Sequence, residues 1–205
     1  MARAMGPRAL LRLAAIAAAG ATAGPVRGQE LHVDLDAERS VRFISRASIE
    51  EFAGVTDGID GYVLLDGAPL SLRTRVSETE LYLEVDLASL DTGIGLRNRH
   101  MRDNYLEVDD HPYAFYEGRM VRVEERSGGT FRVTAGGTMS IHGVGRAMEL
   151  PCDVTPIDEG YRARCAFQVL LSDFDIDIPK VMFLKLANEI RLELDFSVVP
   201  PGGSP

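Results

Sequence analysis

The chain has 205 residues, of which 45% are apolar and 26% are charged, and its formal net charge is -9. This composition is ordinary for a globular protein and argues against a disordered chain or a membrane-embedded one. The acidic balance also argues against nucleic-acid binding, which requires clustered Lys and Arg to neutralise phosphates.

The first 23 residues have the order of an export signal. Arginines at positions 3, 8 and 12 precede an apolar run at 13–19, and Ala21-Thr22-Ala23 matches the A-x-A pattern cut by signal peptidases. The apolar run is far shorter than the roughly 20 residues that span a bilayer. We therefore predict a signal peptide at 1–23, with cleavage as late as residue 28 left open, and an exported, periplasmic protein. A buried helix of a cytosolic domain is the alternative.

From residue 24 onward, the dominant signal is alternation of apolar and polar residues, typical of strands with one buried face. It is clearest at 80–87, 161–171 and 190–198. About eight such segments follow one another, separated by breaks such as Ser127-Gly128-Gly129. We predict one all-β domain at 24–199, an antiparallel barrel of about eight strands. Such a barrel either encloses one ligand or is filled by its own side chains.

Three segments depart from this alternation. Residues 91–112 are expected to contain a short helix at about 96–106, and residues 173–188 mix Asp and Pro with an apolar run. The tail at 200–205 is rich in Pro and Gly and is predicted to be disordered.

The two cysteines, Cys152 and Cys165, lie on the apolar parity of consecutive strands. A hairpin that turns between Asp158 and Glu159 places them opposite each other, close enough for a disulfide. Export to an oxidising compartment favours that bond. Two reduced, buried thiols are the alternative, because a one-residue bulge would separate the sulfurs.

Recognisable catalytic and metal-binding patterns are missing from the sequence. The four histidines lack the short spacing of zinc-binding helices, and there is no G-x-S-x-G motif. Asp173, Asp175 and Asp177 lack the Gly and the later Glu of a calcium loop, so a solvated turn is expected. We predict no metal, no cofactor and no enzymatic activity.

The segment Thr92 to Asp103, with Arg97, His100 and Arg102 in an Arg-x-x-His-x-Arg arrangement, resembles the YceI-like family of exported, lipocalin-like isoprenoid-binding proteins. Ile141-His142-Gly143 and Ser172-Asp173-Phe174 resemble later motifs of the same family. The family's early Trp is absent, and Asp175 stands where the family often has Gly. The resemblance implies a lipocalin-like barrel whose elongated apolar cavity holds an isoprenoid chain, such as that of a quinone or a polyprenyl lipid.

The residues expected to bind that ligand fall into two groups. The predicted cavity residues are Phe43, Tyr62, Leu83, Val85, Phe115, Phe131, Met139, Ile141, Phe167 and Phe196. The predicted headgroup residues at the mouth are Arg97, His100, Arg102 and His142. The alternative for the first group is an ordinary packed core, and for the second a loop whose side chains satisfy backbone carbonyls and nearby carboxylates.

The function that we predict is noncatalytic binding, storage or transport of an amphiphilic isoprenoid lipid, with that lipid as partner and no nucleic acid. Two alternatives stay open: an enzyme that acts on a lipid or quinone headgroup through His100 or His142, and a solid-core interaction or stress module. Transient membrane contact and the oligomeric state also stay open.

Overall fold

The computed structural model describes residues 28–47, 51–67, 69–178, 180–181 and 184–202. The predicted signal peptide and the last three residues of the predicted tail lie outside the described residues. Within the described ranges, no helix is long and apolar enough to cross a membrane.

The described chain is built mainly of antiparallel strands. Their bounds are β1 Gln29–Val33, β2 Ser40–Ala47, β3 Glu51–Thr56, β4 Ile59–Leu65, β5 Glu80–Asp86, β6 Tyr113–Glu125, β7 Phe131–Ile141, β8 Val144–Ile157, β9 Gly160–Leu170, β10 Lys180–Val181 and β11 Leu184–Val199. The helix α1 spans Gly95–Met101 and continues into a wider π turn at Arg102–Leu106. The predicted helix at about 96–106 is thereby confirmed.

The strands close into a barrel. Neighbours run β1, β4, β5, β6, β7, β8, β9 and β11, and β11 pairs back with β1 to complete a ring of eight. The hairpin β2–β3 extends the barrel wall formed by β1 and β4. β2 pairs with the same edge of β11 as β1 does, and β3 is followed in the chain by β4. The prediction of an antiparallel barrel of about eight strands with a short helical insertion is confirmed.

The two ends of the barrel differ in what covers them. The last residues of β5, β7 and β9 and the first residues of β6 and β11 lie at one end, here called the mouth. The irregular segments 87–112 and 171–178 connect strands at this end. At the opposite end, here called the closed end, β6–β7 and β8–β9 join through short turns, whereas β4 and β5 are joined by the longer segment 66–79, in which Leu70 is buried. The sequence departs from alternation where the chain covers the mouth.

The β8–β9 hairpin has the predicted register. Its pairs include Cys152 with Cys165 and Ile157 with Gly160, so the turn lies between Asp158 and Glu159. The two cysteine sulfurs are bonded to each other. The bond joins neighbouring strands near the closed end of the barrel, away from the mouth.

Candidate functional site

The mouth half of the barrel contains a cavity of about 740 Å³ that is open to solvent on one side. Inward-facing side chains from β2, β5, β6, β7, β9 and β11 form its walls, and residues of α1 and of segment 171–176 cover it. Apart from Ser45, Arg97, His100 and two tyrosines, the lining side chains are hydrocarbon or thioether. Such a space suits an apolar ligand with a small polar end.

Six of the predicted cavity residues line this space with their side chains: Phe43, Leu83, Val85, Met139, Ile141 and Phe167. Phe115 only borders it, so its expected inward direction is wrong: its neighbours Ala114 and Tyr116 face inward, and its ring lies on the outer face, 6.2 Å from that of Tyr82. Each strand contributes every second residue to the interior, so the alternation in sequence selects the correct face for most of them. Contact of these residues with a ligand stays a prediction.

Phe131 and Phe196 are buried elsewhere, so their expected place in the cavity lining is wrong. Phe196 is 3% exposed and pairs with Ala163, and Phe131 packs against the same core beside Val154. Both lie towards the closed end, where side chains fill the barrel. Alternation predicted their face correctly, but it carries no information about position along the barrel axis.

Tyr62 lies outside the cavity, which corrects a further expectation. Its ring stacks on that of Tyr82 at 6.1 Å, and its hydroxyl donates to Glu80, which raises the pKa of Tyr62. The inward residues of β4 are Ile59 and Leu65. The segment 62–65 is apolar at every position, so its periodicity could not distinguish the two faces.

Arg97 and His100 of α1 line the mouth of the cavity. The guanidinium of Arg97 lies over the ring of Phe52, which itself contacts Phe43 edge to face at 6.0 Å. Phe52 lies on β3 and was not predicted, because no alternation marks this short strand in the sequence. A cation and an imidazole therefore adjoin an aromatic rim at the entrance.

Arg102, by contrast, does not line the cavity. Its guanidinium donates to the carbonyl oxygen of Leu90 at 2.8 Å, so it fixes the chain that leads into α1. Its expected place at the mouth is therefore wrong, and the alternative of an arginine bonded to a loop carbonyl describes it better.

Asn98 also holds the start of this segment and was not predicted. Its amide donates to Asp91 at 2.6 Å, and its oxygen accepts from the backbone and the hydroxyl of Thr92. The hydrogen bond from Asn98, followed by that from the Gly93 amide, lowers the pKa of Asp91. These local bonds position α1 and hence Arg97 and His100.

Ser45 is a buried polar side chain of the lining, at 2% exposure. Its hydroxyl has no hydrogen-bond partner among the described residues. The strand register places Ser45 opposite Phe52, close to the mouth. A buried hydroxyl without a partner is costly, so this position favours a ligand that brings a polar atom.

His142 lies beside the cavity and does not line it, contrary to expectation. Its Nδ1 lies 3.2 Å from the carbonyl oxygen of Phe174, and its Nε2 lies 3.1 Å from Oε2 of Glu107. His111 packs against it, with ring centroids 4.9 Å apart. The structure thus joins His142 to Glu107 and His111 rather than to His100.

Several solved structures share this fold. Burkholderia cenocepacia BcnA is 18% identical, with a TM-score of 0.63 over 80% of this chain and 98% of its own. A polyisoprenoid binding domain from Saccharophagus degradans, implicated in plant cell wall breakdown, is 15% identical, with a TM-score of 0.61 over 85% and 100%. The Campylobacter jejuni YCEI protein is 18% identical, with a TM-score of 0.54 over 73% and 85%. At these identities the likeness is one of fold.

No curated protein matches the chain in sequence. The family model described as YceI-like domain matches residues 32–198, which include the whole barrel except the first residues of β1 and the last residue of β11. The chain therefore belongs to the YceI-like domain family.

Proposed function

We propose that the protein binds the chain of an isoprenoid lipid in its apolar cavity and shields that chain from water, without catalysing a reaction. The observation that carries this proposal is the apolar cavity of about 740 Å³. Small-molecule sites commonly occupy about 300–1,000 Å³, so this volume is ample for a ligand. The similarity in fold to the polyisoprenoid binding domain from Saccharophagus degradans is consistent with the same ligand class.

The chemistry of the lining supports a hydrocarbon ligand. An isoprenoid chain has almost no hydrogen-bonding groups, so its affinity comes from removing apolar surface from water, at roughly 25 cal/mol per Å² before ordering costs. A polar ligand of the same size would leave most of its donors and acceptors unpaired against this lining. The cavity therefore favours a long, apolar molecule.

The mouth supports a polar end on that molecule. Arg97 and His100 can donate hydrogen bonds to a quinone carbonyl or a phosphate, and Ser45 can donate to an oxygen just inside the entrance. We therefore propose an isoprenoid quinone or a polyprenyl lipid, with its headgroup at the mouth and its chain in the barrel.

We further propose that the protein is exported with residues 1–23 as a cleaved signal peptide, and that 24–199 is the functional domain. The Cys152–Cys165 disulfide supports an oxidising compartment such as the periplasm. Transfer of the lipid would then involve transient contact with a membrane.

The alternatives have less support. A cavity of this size inside the barrel argues against a solid-core module. For an enzyme, one expected acid–base residue, His142, already has both ring nitrogens beside oxygen atoms and lies outside the cavity lining. Recovery of the bound lipid chemically unchanged after incubation would further disfavour catalysis.

The test is native mass spectrometry of the purified protein, followed by organic extraction and identification of the ligand. Ala114 faces the cavity, whereas Ala166 lies on the exposed side of β9. We expect Ala114→Leu to reduce lipid retention by filling space, and Ala166→Leu to retain lipid like the wild type. A protein that is isolated empty and takes up neither polyprenyl lipid nor quinone would overturn the proposal.

A further inference from the structure

We infer that Glu107, His111 and His142 form a binding site for a divalent transition-metal ion of the Zn²⁺ class. The three residues each offer one ligand atom, and these atoms lie within 4.8 Å of one another. Two imidazoles and one carboxylate are a donor set that suits Zn²⁺. The site is beside the lipid cavity and separate from it, and the inference does not depend on the proposed lipid.

The hydrogen-bonding position of His142 points most directly to a cation. Both of its ring nitrogens face oxygen acceptors: the carbonyl of Phe174 at 3.2 Å and the carboxylate of Glu107 at 3.1 Å. A neutral imidazole has one N–H and can satisfy only one of them. The other nitrogen needs a proton or a metal ion between itself and its oxygen neighbour.

A metal ion fits this arrangement. When Nδ1–H of His142 donates to the Phe174 carbonyl, Nε2 presents its lone pair towards Glu107, as is usual for metal-ligating histidines. With Zn²⁺ bonds of about 2.0–2.1 Å, tetrahedral ligand atoms lie about 3.3 Å apart. The observed 3.1 Å between Nε2 of His142 and Oε2 of Glu107 is close to that separation.

The backbone at and beside the cluster has unusual conformations. Of the described non-glycine residues, those with positive φ are Glu107 at 47°, His142 at 53° and Asp175 at 55°. Two of these are ligands in the proposed site, and the third directly follows Phe174. Such backbone conformations persist where the surrounding structure requires them, and they are concentrated at functional sites.

The third ligand, His111, is close to the other two because a glycine faces it. A Cβ built on Gly143 would lie 2.8 Å from the His111 ring, so a side chain there would displace the ring. His111 also donates its backbone amide to the carbonyl of Glu107, which closes the turn after α1. A small rotation of the half-buried His111 ring would complete a three-ligand site, with a fourth position for water near the exposed Glu107.

A bound ion would cross-link the chain segments that cover the mouth. The site joins the turn after α1 to the β7–β8 turn. His142 also contacts the carbonyl oxygen of Phe174, which belongs to segment 171–178. Tyr105 and Leu106, immediately before Glu107, line the cavity. An ion at this site would therefore stabilise the cover of the mouth.

The test is calorimetric titration of tag-free, chelator-treated protein with Zn²⁺, repeated with Co²⁺ to record its coordination spectrum. We expect one ion per chain and a higher melting temperature with Zn²⁺. His142→Asn, which keeps a residue tolerant of positive φ, should weaken binding on the order of 100-fold, and Glu107→Gln and His111→Gln at least about 10-fold. His32→Asn, taken from the exposed His32–Glu30 pair, should bind Zn²⁺ like the wild type.

Circular dichroism would confirm that each variant is folded. If the Glu107 and His142 variants unfold because these residues have positive φ, His111→Gln still tests the site. Two results would overturn the inference: no saturable one-to-one binding by the wild type, or an affinity that none of the three ligand substitutions changes. Either would leave His142 and Glu107 as a hydrogen-bonded pair only. Neither result bears on lipid retention, so failure here is distinguishable from failure of the proposed function.

Discussion

The guanidinium carbon of Arg97 lies 4.6 Å from the centroid of the Phe52 ring at the mouth of the barrel. This cation–π contact joins α1 to β3, which are separated by some 40 residues of chain. Arg97 makes no hydrogen bond to another described residue, so its N–H groups are available to a ligand. The contact therefore holds a hydrogen-bond donor in place at the entrance.

For this reason we expect Arg97→Ala and His100→Ala to weaken binding of a headgroup-bearing isoprenoid more than binding of a bare hydrocarbon of equal length. A charge-assisted hydrogen bond contributes about 1.5–3 kcal/mol, so the selective loss should be roughly 10-fold or more. Fluorescence titration with both ligands measures the difference. Arg99→Ala, at an exposed position outside the lining, is the control. Equal losses for both ligands would indicate that Arg97 and His100 only support the loop.

Arg102→Ala should behave differently, because Arg102 donates to the carbonyl of Leu90 and does not line the cavity. We expect it to lower the melting temperature and to weaken both ligands to a similar degree. A selective effect on the headgroup-bearing ligand would show that Arg102 reaches the mouth in the bound state.

Phe167→Asp should abolish lipid retention and destabilise the fold by on the order of 3 kcal/mol, since it places a carboxylate against an apolar wall. Val121→Asp introduces the same carboxylate at a side chain that is 43% exposed, and should alter stability by no more than about 0.5 kcal/mol. Urea unfolding and lipid extraction measure the two effects. Equal behaviour of both variants would contradict the assignment of strand faces.

The disulfide provides a fourth prediction. Removing it with Cys152→Ala and Cys165→Ala together should lower stability by up to about 3 kcal/mol, and by less if the hairpin already restricts the unfolded chain. A reductant should lower the melting temperature of the wild type but not that of the double variant. Alkylation of the denatured, unreduced protein should add no groups, and the addition of two would show that the thiols are free.

Asp195 provides a fifth prediction, on the pH dependence of stability. Its carboxylate accepts hydrogen bonds from Arg162 at 2.6 Å and from Arg164 at 3.1 Å, and the bond from Arg162 is the main cause of its lowered pKa. The folded state therefore binds a proton less readily than the unfolded state, so this stabilisation is complete above the ordinary pKa of 3.8 and is lost as the pH falls below it.

We expect Asp195→Asn to lower the free energy of unfolding by about 1 kcal/mol at pH 7 and by progressively less below pH 4. Denaturant titrations between about pH 3 and pH 7 measure this difference. Asp173→Asn, at an exposed carboxylate with no ion pair among the described residues, is the control and should show no such trend. A difference that is constant with pH would contradict the role of the Asp195 carboxylate.

The sequence by itself determined the barrel and the direction of most side chains. A strand that separates a core from water must alternate, so the inward faces at Leu83, Met139 and Phe167 could be read directly. The same alternation, with a two-residue turn, predicted that Cys152 and Cys165 lie opposite each other. These features depend on neighbours along the chain or across one hairpin, and local patterns describe them well.

Only the tertiary structure decided where along the barrel each inward residue lies. Phe196 and Phe167 both point inward, yet one fills the closed end and the other lines the cavity, because depth depends on the stagger of all the strands. The meeting of Glu107, His111 and His142, and that of Arg97 with Phe52, likewise requires chain segments that are remote in sequence. Residue spacing in the sequence cannot predict such a contact, because the contact forms only when the barrel closes and its mouth is covered.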